Sequence, residues 1–157
     1  TPGISSAASD VYKRQPEDYL PMWLREREIE TRQVEPMDLL KIEKLPPYRS
    51  TWMKPTGKLP KDERIHQALL LYCSDMGLLG AAVNPHEVNF MSKKFQSASL
   101  DHVMWFHGKV NFNNWILHHM HSPISQNARG FSRGAIYTKA GKLIASTAQE
   151  GLMRVWD

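Results

Sequence analysis

The sequence predicts an α+β domain in which one antiparallel β-sheet wraps around a central α-helix. One helical segment with apolar residues almost all round it occupies residues 62–80, and the chain after Pro85 consists of strand-like segments separated by short polar turns. With 157 residues, 41% of them hydrophobic, the chain can form one domain with a core but not two large ones. A buried helix followed by an antiparallel meander is typical of a sheet that curls around the helix.

Residues 1–47 are expected to precede this domain. Residues 10–15 read Asp-Val-Tyr-Lys-Arg-Gln, the translation of a transposase adaptor used in sequencing libraries, so we interpret residues 1–15 as an adaptor artefact and exclude them from the fold. The alternative is a native, disordered Ser/Ala-rich terminus. In residues 16–47, the charged stretch 25–35 and the pair Pro46-Pro47 predict the end of an element, a linker and a domain boundary near Pro47.

The central helix follows a short extended segment, residues 48–54, and a polar turn that contains Pro55, Gly57 and Pro60. Asp62 is placed to cap its start and Gly80 its end. Because the flanking positions are also apolar, we expect other elements to surround the helix. Its apolar stripe has spacings of four, three, four and three: Ile65, Leu69, Tyr72, Met76 and Leu79.

Four segments after Pro85 have the composition of strands. A short connection that contains Gly141 joins the last two of them, as in a hairpin. No internal repeat or low-complexity tract is visible. The segments are residues 95–107, 115–121, 130–138 and 142–153.

Composition excludes several classes of protein. The net charge of +4 is mild and no Lys/Arg cluster forms a nucleic-acid stripe. The single cysteine, Cys73, excludes an internal disulfide and fits an intracellular setting, where we expect it to be buried. No apolar run approaches the roughly 20 residues that a membrane span needs. His119 and His121 share a strand face, but without a third ligand we expect no metal site, and no cofactor.

Five phrases occur in an order that resembles the C-terminal domain of the acyl-CoA thioesterase II family, the TesB-type double-hotdog thioesterases. They begin at Ile65 (IHQALL), Tyr72 (YCSD), Ser99 (SLDH, followed by WFH), Ala128 (ARG) and Ala148 (AQEG), and the likeness runs from about Arg49 to Arg154. The resemblance implies that residues 48–157 form the second hotdog domain of a double hotdog. It also implies that residues 16–47 hold the tail and linker of the first domain, so that the chain is a fragment.

The family's function implies roles for three residues. An Asp on the central helix, a Ser or Thr before the Leu-Asp-His phrase, and a Gln in the Gln-Glu-Gly phrase together activate a water; here they are Asp75, Ser99 and Gln149. The resemblance therefore implies hydrolysis of fatty acyl-CoA to free fatty acid and CoA. It also implies homo-oligomers formed by pairing of hotdog sheets, and a location in the cytoplasm or peroxisome.

The chemistry of these residues agrees with the implied roles without deciding them. An unpaired carboxylate at Asp75, on an apolar helix, would be costly to bury and needs partners. The Ser99 hydroxyl could orient a water, whereas a nucleophilic serine would need a paired histidine base, which no sequence feature supplies. Gln149 shares a predicted strand face with Leu143, Ala145 and Thr147, and could hold the water through its oxygen or meet the substrate through its NH2.

Asp101 and His102 are interpreted as structural, because adjacent strand residues point to opposite faces and cannot simply form a triad with Ser99. A hotdog hydratase would need an Asp-x-x-x-x-His sequence, which does not occur. The ending Trp156-Asp157 imitates a propeller blade, but a propeller repeats this signature about every 40 to 45 residues. The remaining alternative is a catalytically incomplete hotdog fragment that acts as an acyl-CoA-binding or structural domain.

Overall fold

The computed structural model describes residues 28–35, 41–88, 90 and 92–156, which form a curled antiparallel sheet and two helices. The strand order is β1-β2-β5-β6-β7, and β3 and β4 both pair with β7. The α+β hotdog prediction is confirmed. The strands are β1 (Ile29–Gln33), β2 (Tyr48–Pro55), β3 (Phe95–Ser99), β4 (Val103–Phe106), β5 (Ile116–Gln126), β6 (Arg129–Thr138) and β7 (Leu143–Val155), and the helices are α1 (Glu63–Asp75) and α2 (Gly80–Val83).

The core lies between α1 and the concave face of the sheet. Alternate residues of β5, β6 and β7 face inward, as the period of two in a strand requires, and Leu70 and Cys73 of α1 pack on them. A second cluster joins α2 to Met153 at the far end of β7. A register shift beside Ile136 buries both Ile144 and Ala145, so Leu143 is exposed rather than sharing the face of Gln149 as predicted.

Helix α1 begins where the sequence predicts and ends earlier. The Asp62 side chain accepts a hydrogen bond from the Arg64 backbone N–H at 3.0 Å, which confirms the predicted N-cap. The predicted end at Gly80 is wrong: α1 stops at Asp75, and Gly77 takes a left-handed conformation (φ 82°) that suits glycine after a helix end.

The expectation that other elements surround α1 is also wrong for the part of the chain that the structure describes. The helix buries His66, Leu70, Cys73 and Ser74, whereas Ile65, Tyr72 and Met76 of the predicted stripe are exposed. Because apolar residues occur on both sides of this helix, periodicity alone did not identify the side that packs on the sheet. In the described part of the chain the helix is covered on one side, not surrounded.

The predicted strand 95–107 is interrupted by a bulge. Ser99 pairs with Gly151 and Val103 with Ala148, so residues 100–102 lie opposite only Gln149 and Glu150 of β7. The backbone N–H of Glu150 donates to Asp101 Oδ1 at 2.8 Å, and the N–H of Leu100 donates to the Glu150 carbonyl at 2.9 Å. These bonds fix the bulge beside the C-terminal end of α1.

Strand β1 lies at the edge of the same sheet. Residues Ile29 to Gln33 pair with Pro55 to Thr51 of β2. The boundary predicted near Pro47 therefore falls between two strands that hydrogen-bond to each other, and the domain division stays a prediction. The predicted adaptor segment, residues 1–15, lies outside the described residues. Among those residues, no helix is long and apolar enough to cross a membrane.

Candidate active site

Asp75 is the last residue of α1 and receives hydrogen bonds from both other predicted site residues. Gln149 Nε2 and Ser99 Oγ each donate to Asp75 Oδ1, the latter at 3.2 Å. The Asp75 side chain is 54% exposed, and none of the hydrogen bonds in the described part of the chain uses its Oδ2. The structure thus brings the three residues together at one carboxylate oxygen, while the other accepts no hydrogen bond from the described residues.

The position of Asp75 explains why it needs these donors. The carbonyl ends of a helix carry a partial negative charge, which opposes an ionised carboxylate in the last turn. Two donated hydrogen bonds offset that repulsion, because hydrogen bonds to a charged acceptor are stronger than those between neutral groups. The Asp75 carboxylate is therefore held in place although its side chain is about half exposed.

Strand β7 organises the two donors. Gln149 faces inward from its centre and is 1% exposed. Ser99 ends β3 opposite Gly151, two residues further along β7, and is exposed. Because residues two apart in a strand share a face, both side chains reach the end of α1 from the same side of the sheet.

His102 also lies at the site, although the sequence predicted a structural role for it. Its Nδ1 is 3.2 Å from Gln149 Nε2 and 3.8 Å from Asp75 Oδ1. Its Nε2 is 2.8 Å from the Oγ of Ser74, which in turn donates to the Leu71 carbonyl at 2.7 Å. Strand periodicity could not place His102 here, because the bulge turns its side chain toward α1.

Ser99, Asp101 and His102 do not form a catalytic triad. Ser99 Oγ donates to Asp75, and Asp101 accepts from the backbone of Glu150. His102 bonds to Ser74 and Gln149. The three side chains therefore serve different partners, whereas a nucleophilic serine needs the histidine as its own base.

The sheet next to Gln149 carries a set of buried polar side chains that we name the inner polar strip: His118, Ser132 and Thr147. Among the described residues, no hydrogen-bond partner reaches the polar side-chain atoms of the strip or Gln149 Oε1. Burial, followed by the nearby His102 and His119, lowers the pKa of His118 to about 3, so the ring is neutral at physiological pH.

Two apolar surfaces border the site. One is the outer side of α1, which includes Ile65, Tyr72 and Met76; the other is β4, where Val103 and Trp105 are exposed. In the part of the chain that the structure describes, β4 pairs on one side alone, with β7. The Asp75 carboxylate therefore lies at the edge of apolar surface, on α1 and β4, that no other described element covers.

The histidines on the outer face of β5 do not assemble a metal centre with other described residues. His119 Nδ1 lies 3.0 Å from the Oγ of Ser50. The backbone N–H of Ser50 donates to the Glu35 carboxylate at 2.6 Å. His119 therefore has a hydrogen-bonding role between β2 and β5.

Comparison with known proteins gives a consistent family. The family model described as acyl-CoA thioesterase matches residues 23–152. Acyl-CoA thioesterase 2 of Haemophilus influenzae is 41% identical over 111 residues, covering 71% of this chain and 39% of that protein. Human acyl-coenzyme A thioesterase 8 is 33% identical over 128 residues, covering 81% of this chain and 40% of that protein. The chain thus spans about two fifths of the length of these relatives.

Solved structures agree. The acyl-CoA thioesterase II TesB2 of Mycobacterium marinum superposes with a TM-score of 0.66 at 32% identity, covering 82% of this chain and 49% of that one. A hot dog fold protein from Alicyclobacillus acidocaldarius gives a TM-score of 0.62 at 13% identity, covering 90% of this chain and 49% of that one. The second likeness shows the fold alone.

Proposed function

This chain belongs to the acyl-CoA thioesterase family, and from that premise we propose that it carries the catalytic carboxylate of a fatty acyl-CoA hydrolase. Asp75 is the general base, and Ser99 and Gln149 hold it. The substrate is an acyl-CoA thioester, and the products are free fatty acid and CoA. No cofactor enters the reaction.

In the proposed mechanism, a water hydrogen-bonds to Asp75 Oδ2. Asp75 takes one proton from this water while the oxygen attacks the thioester carbonyl carbon, giving a tetrahedral intermediate. The C–S bond then breaks, and the sulfur leaves with the proton that Asp75 had accepted. The carboxylate is regenerated, so one water is consumed for each thioester cleaved.

The observation that carries this proposal is that the two oxygens of Asp75 have different partners. Ser99 and Gln149 both donate to Oδ1, which fixes the rotamer of the carboxylate. Oδ2 is left to bind a water, and the half-exposed side chain is open to one. The lone pairs of the Ser99 hydroxyl can accept a hydrogen bond from the same water, because its own proton is directed to Asp75.

The test is release of free CoA thiol from acyl-CoAs of different chain lengths, with this chain joined to the N-terminal domain of a family member. We expect Asp75→Asn to lower kcat by on the order of a hundredfold or more, as loss of a general base implies. Asp62→Asn is the matched control: it removes a carboxylate at the other end of α1 and keeps a residue that caps helices well. Equal activity of Asp75→Asn and Asp62→Asn would reject Asp75 as the base.

A second candidate function is a catalytically incomplete, acyl-CoA-binding or structural hotdog domain. The uncovered outer side of α1 and the exposed carboxylate favour this reading for the chain on its own. A folded protein that binds acyl-CoA but releases no CoA, even when joined to the first domain, would establish it. The proposed whole enzyme packs a first hotdog domain on this region, associates further through its sheets, and acts in the cytoplasm or peroxisome.

A further inference from the structure

We propose that Ser74 and His102 form a positioning pair that fixes the orientation of the Gln149 amide against Asp75. This inference rests on the proposed function, since it concerns how Asp75 is kept ready to accept a proton. It follows from the direction in which each hydrogen bond of the site must run.

The direction is set at Ser74. A serine hydroxyl has one proton, and that of Ser74 is directed at the Leu71 carbonyl at 2.7 Å, the usual bond from a helical serine to its preceding turn. At the 2.8 Å contact between Ser74 Oγ and His102 Nε2, the serine oxygen must therefore accept. His102 consequently carries a proton on Nε2.

The other ring nitrogen of His102, Nδ1, faces the Gln149 amide. A neutral imidazole has one N–H, so with Nε2 protonated the Nδ1 of His102 is an acceptor. Its neighbour at 3.2 Å must be the NH2 group of Gln149, whose second proton is donated to Asp75 Oδ1. The opposite amide orientation would place Oε1 against the lone pair of His102 and the carboxylate of Asp75, which are both repulsive contacts.

The pair therefore gives Gln149 a role different from the two that the sequence left open, which were to hold the water through its oxygen or to meet the substrate through its NH2. Its NH2 group is used by His102 and Asp75, while its Oε1 is buried and accepts no hydrogen bond from the described residues. Gln149 then does not hold the attacking water through its oxygen; that water is left to Asp75 Oδ2 and Ser99. Loss of the pair would let the amide rotate and turn its oxygen toward the ionised base.

The first test does not depend on activity. In the full chain labelled with 15N on histidine, the ring nitrogens of His102 are assigned by their loss in His102→Asn. At a pH about two units above the ordinary pKa of histidine, where the tautomers of neutral rings are read, they should show Nε2 protonated and Nδ1 unprotonated. Ser74→Ala should weaken this preference, because the acceptor for Nε2–H is gone. A His102 ring protonated on Nδ1 in the unmodified chain would overturn the proposal.

The second test compares two amide replacements of His102 in the active enzyme. The Asn side chain can place an oxygen where Nδ1 stands, whereas a Gln side chain reaches toward Ser74 instead. We expect kcat to fall about tenfold in His102→Asn and on the order of a hundredfold in His102→Gln, with KM little changed in both. Equal losses, or a loss confined to KM, would show a merely structural role. If the unmodified enzyme itself releases no CoA, the proposed function fails, and the tautomer measurement still decides the positioning pair.

Discussion

His118 shows what a buried titratable residue costs this fold. It is completely buried on the inner face of β5, and burial lowers its pKa to about 3, from an ordinary value of 6.5. Between these two pH values His118 binds a proton in the unfolded chain but not in the folded chain. The contribution of His118 therefore favours the fold fully above pH 6.5 and is lost progressively as the pH falls toward 3, by on the order of a few kcal/mol in total.

This predicts that the free energy of unfolding falls between pH 7 and pH 4, and that His118→Leu makes the fall shallower. Urea unfolding at several pH values measures the slope. His121→Leu is the control, because it removes an exposed histidine from the same strand. The same acid slope in unmodified protein and His118→Leu would contradict the assignment.

Cys73 gives a second prediction at the residue scale. Its thiol is buried against the core, and burial raises its pKa to about 12. Because the thiolate is the reactive form, a disulfide reagent at pH 8 should leave the folded chain unlabelled and label one thiol per chain after unfolding. Since Cys73 is the only cysteine, the count is unambiguous. Prompt labelling of the native protein would show that this side of α1 opens.

At the scale of elements, Gly134 is a point where β6 packs closely on side chains of β5 and β7. A Cβ at this position would stand far inside contact distance of His118 Nε2 and Thr147 Oγ1, two members of the inner polar strip. We expect Gly134→Ala to lower the free energy of unfolding by about 1–3 kcal/mol, as overpacked cores do. Gly57→Ala, where a Cβ meets nothing within 4 Å, should change it little. Comparable urea midpoints for the two variants would mean that the strip yields easily.

The elements themselves were largely predictable, because strand alternation, the Asp62 cap and the hairpin at Gly141 are local signals. The inward side of α1 was not, since a helix with apolar residues on both sides does not reveal which side faces the sheet. The bulge at residues 100–102 was hidden for a similar reason: strand-like composition continues across it, and the interruption comes from pairing with β7. A register shift between β6 and β7 likewise places Leu143 on a different strand face from the one predicted.

In the site too, features set by local sequence could be predicted, whereas features set by contacts between distant elements could not. Asp75, Ser99 and Gln149 were named from a resemblance, and the structure brings them together. The contact of His102 with Ser74 and Gln149 depends on the bulge, so no local pattern could predict it. The orientation of the Gln149 amide depends on a chain of hydrogen bonds across three elements, which the sequence does not encode at any one position.

At the scale of the whole molecule, the distribution of apolar surface separates the two sides of α1. The inner side packs on the sheet, while Tyr72, on the outer side, is 64% exposed. Exposed apolar residues in neighbouring turns of a helix are typical of a surface that another domain covers. The chain spans about two fifths of its relatives, and the proposed first hotdog domain is the natural occupant of this surface.

If that is so, the chain produced alone should associate with itself through the outer side of α1, because burial of apolar surface drives association. Sedimentation over a range of concentrations should show its average mass rising above that of the monomer. Tyr72→Lys should return it toward the monomer, since a charge at the centre of the contact costs desolvation energy. Ile42→Lys is the matched control: Ile42 is similarly exposed, at 57%, but it is not part of α1 and lies in the segment before β2. A chain that stays monomeric at high concentration, or an equal effect of both variants, would place the domain contact elsewhere.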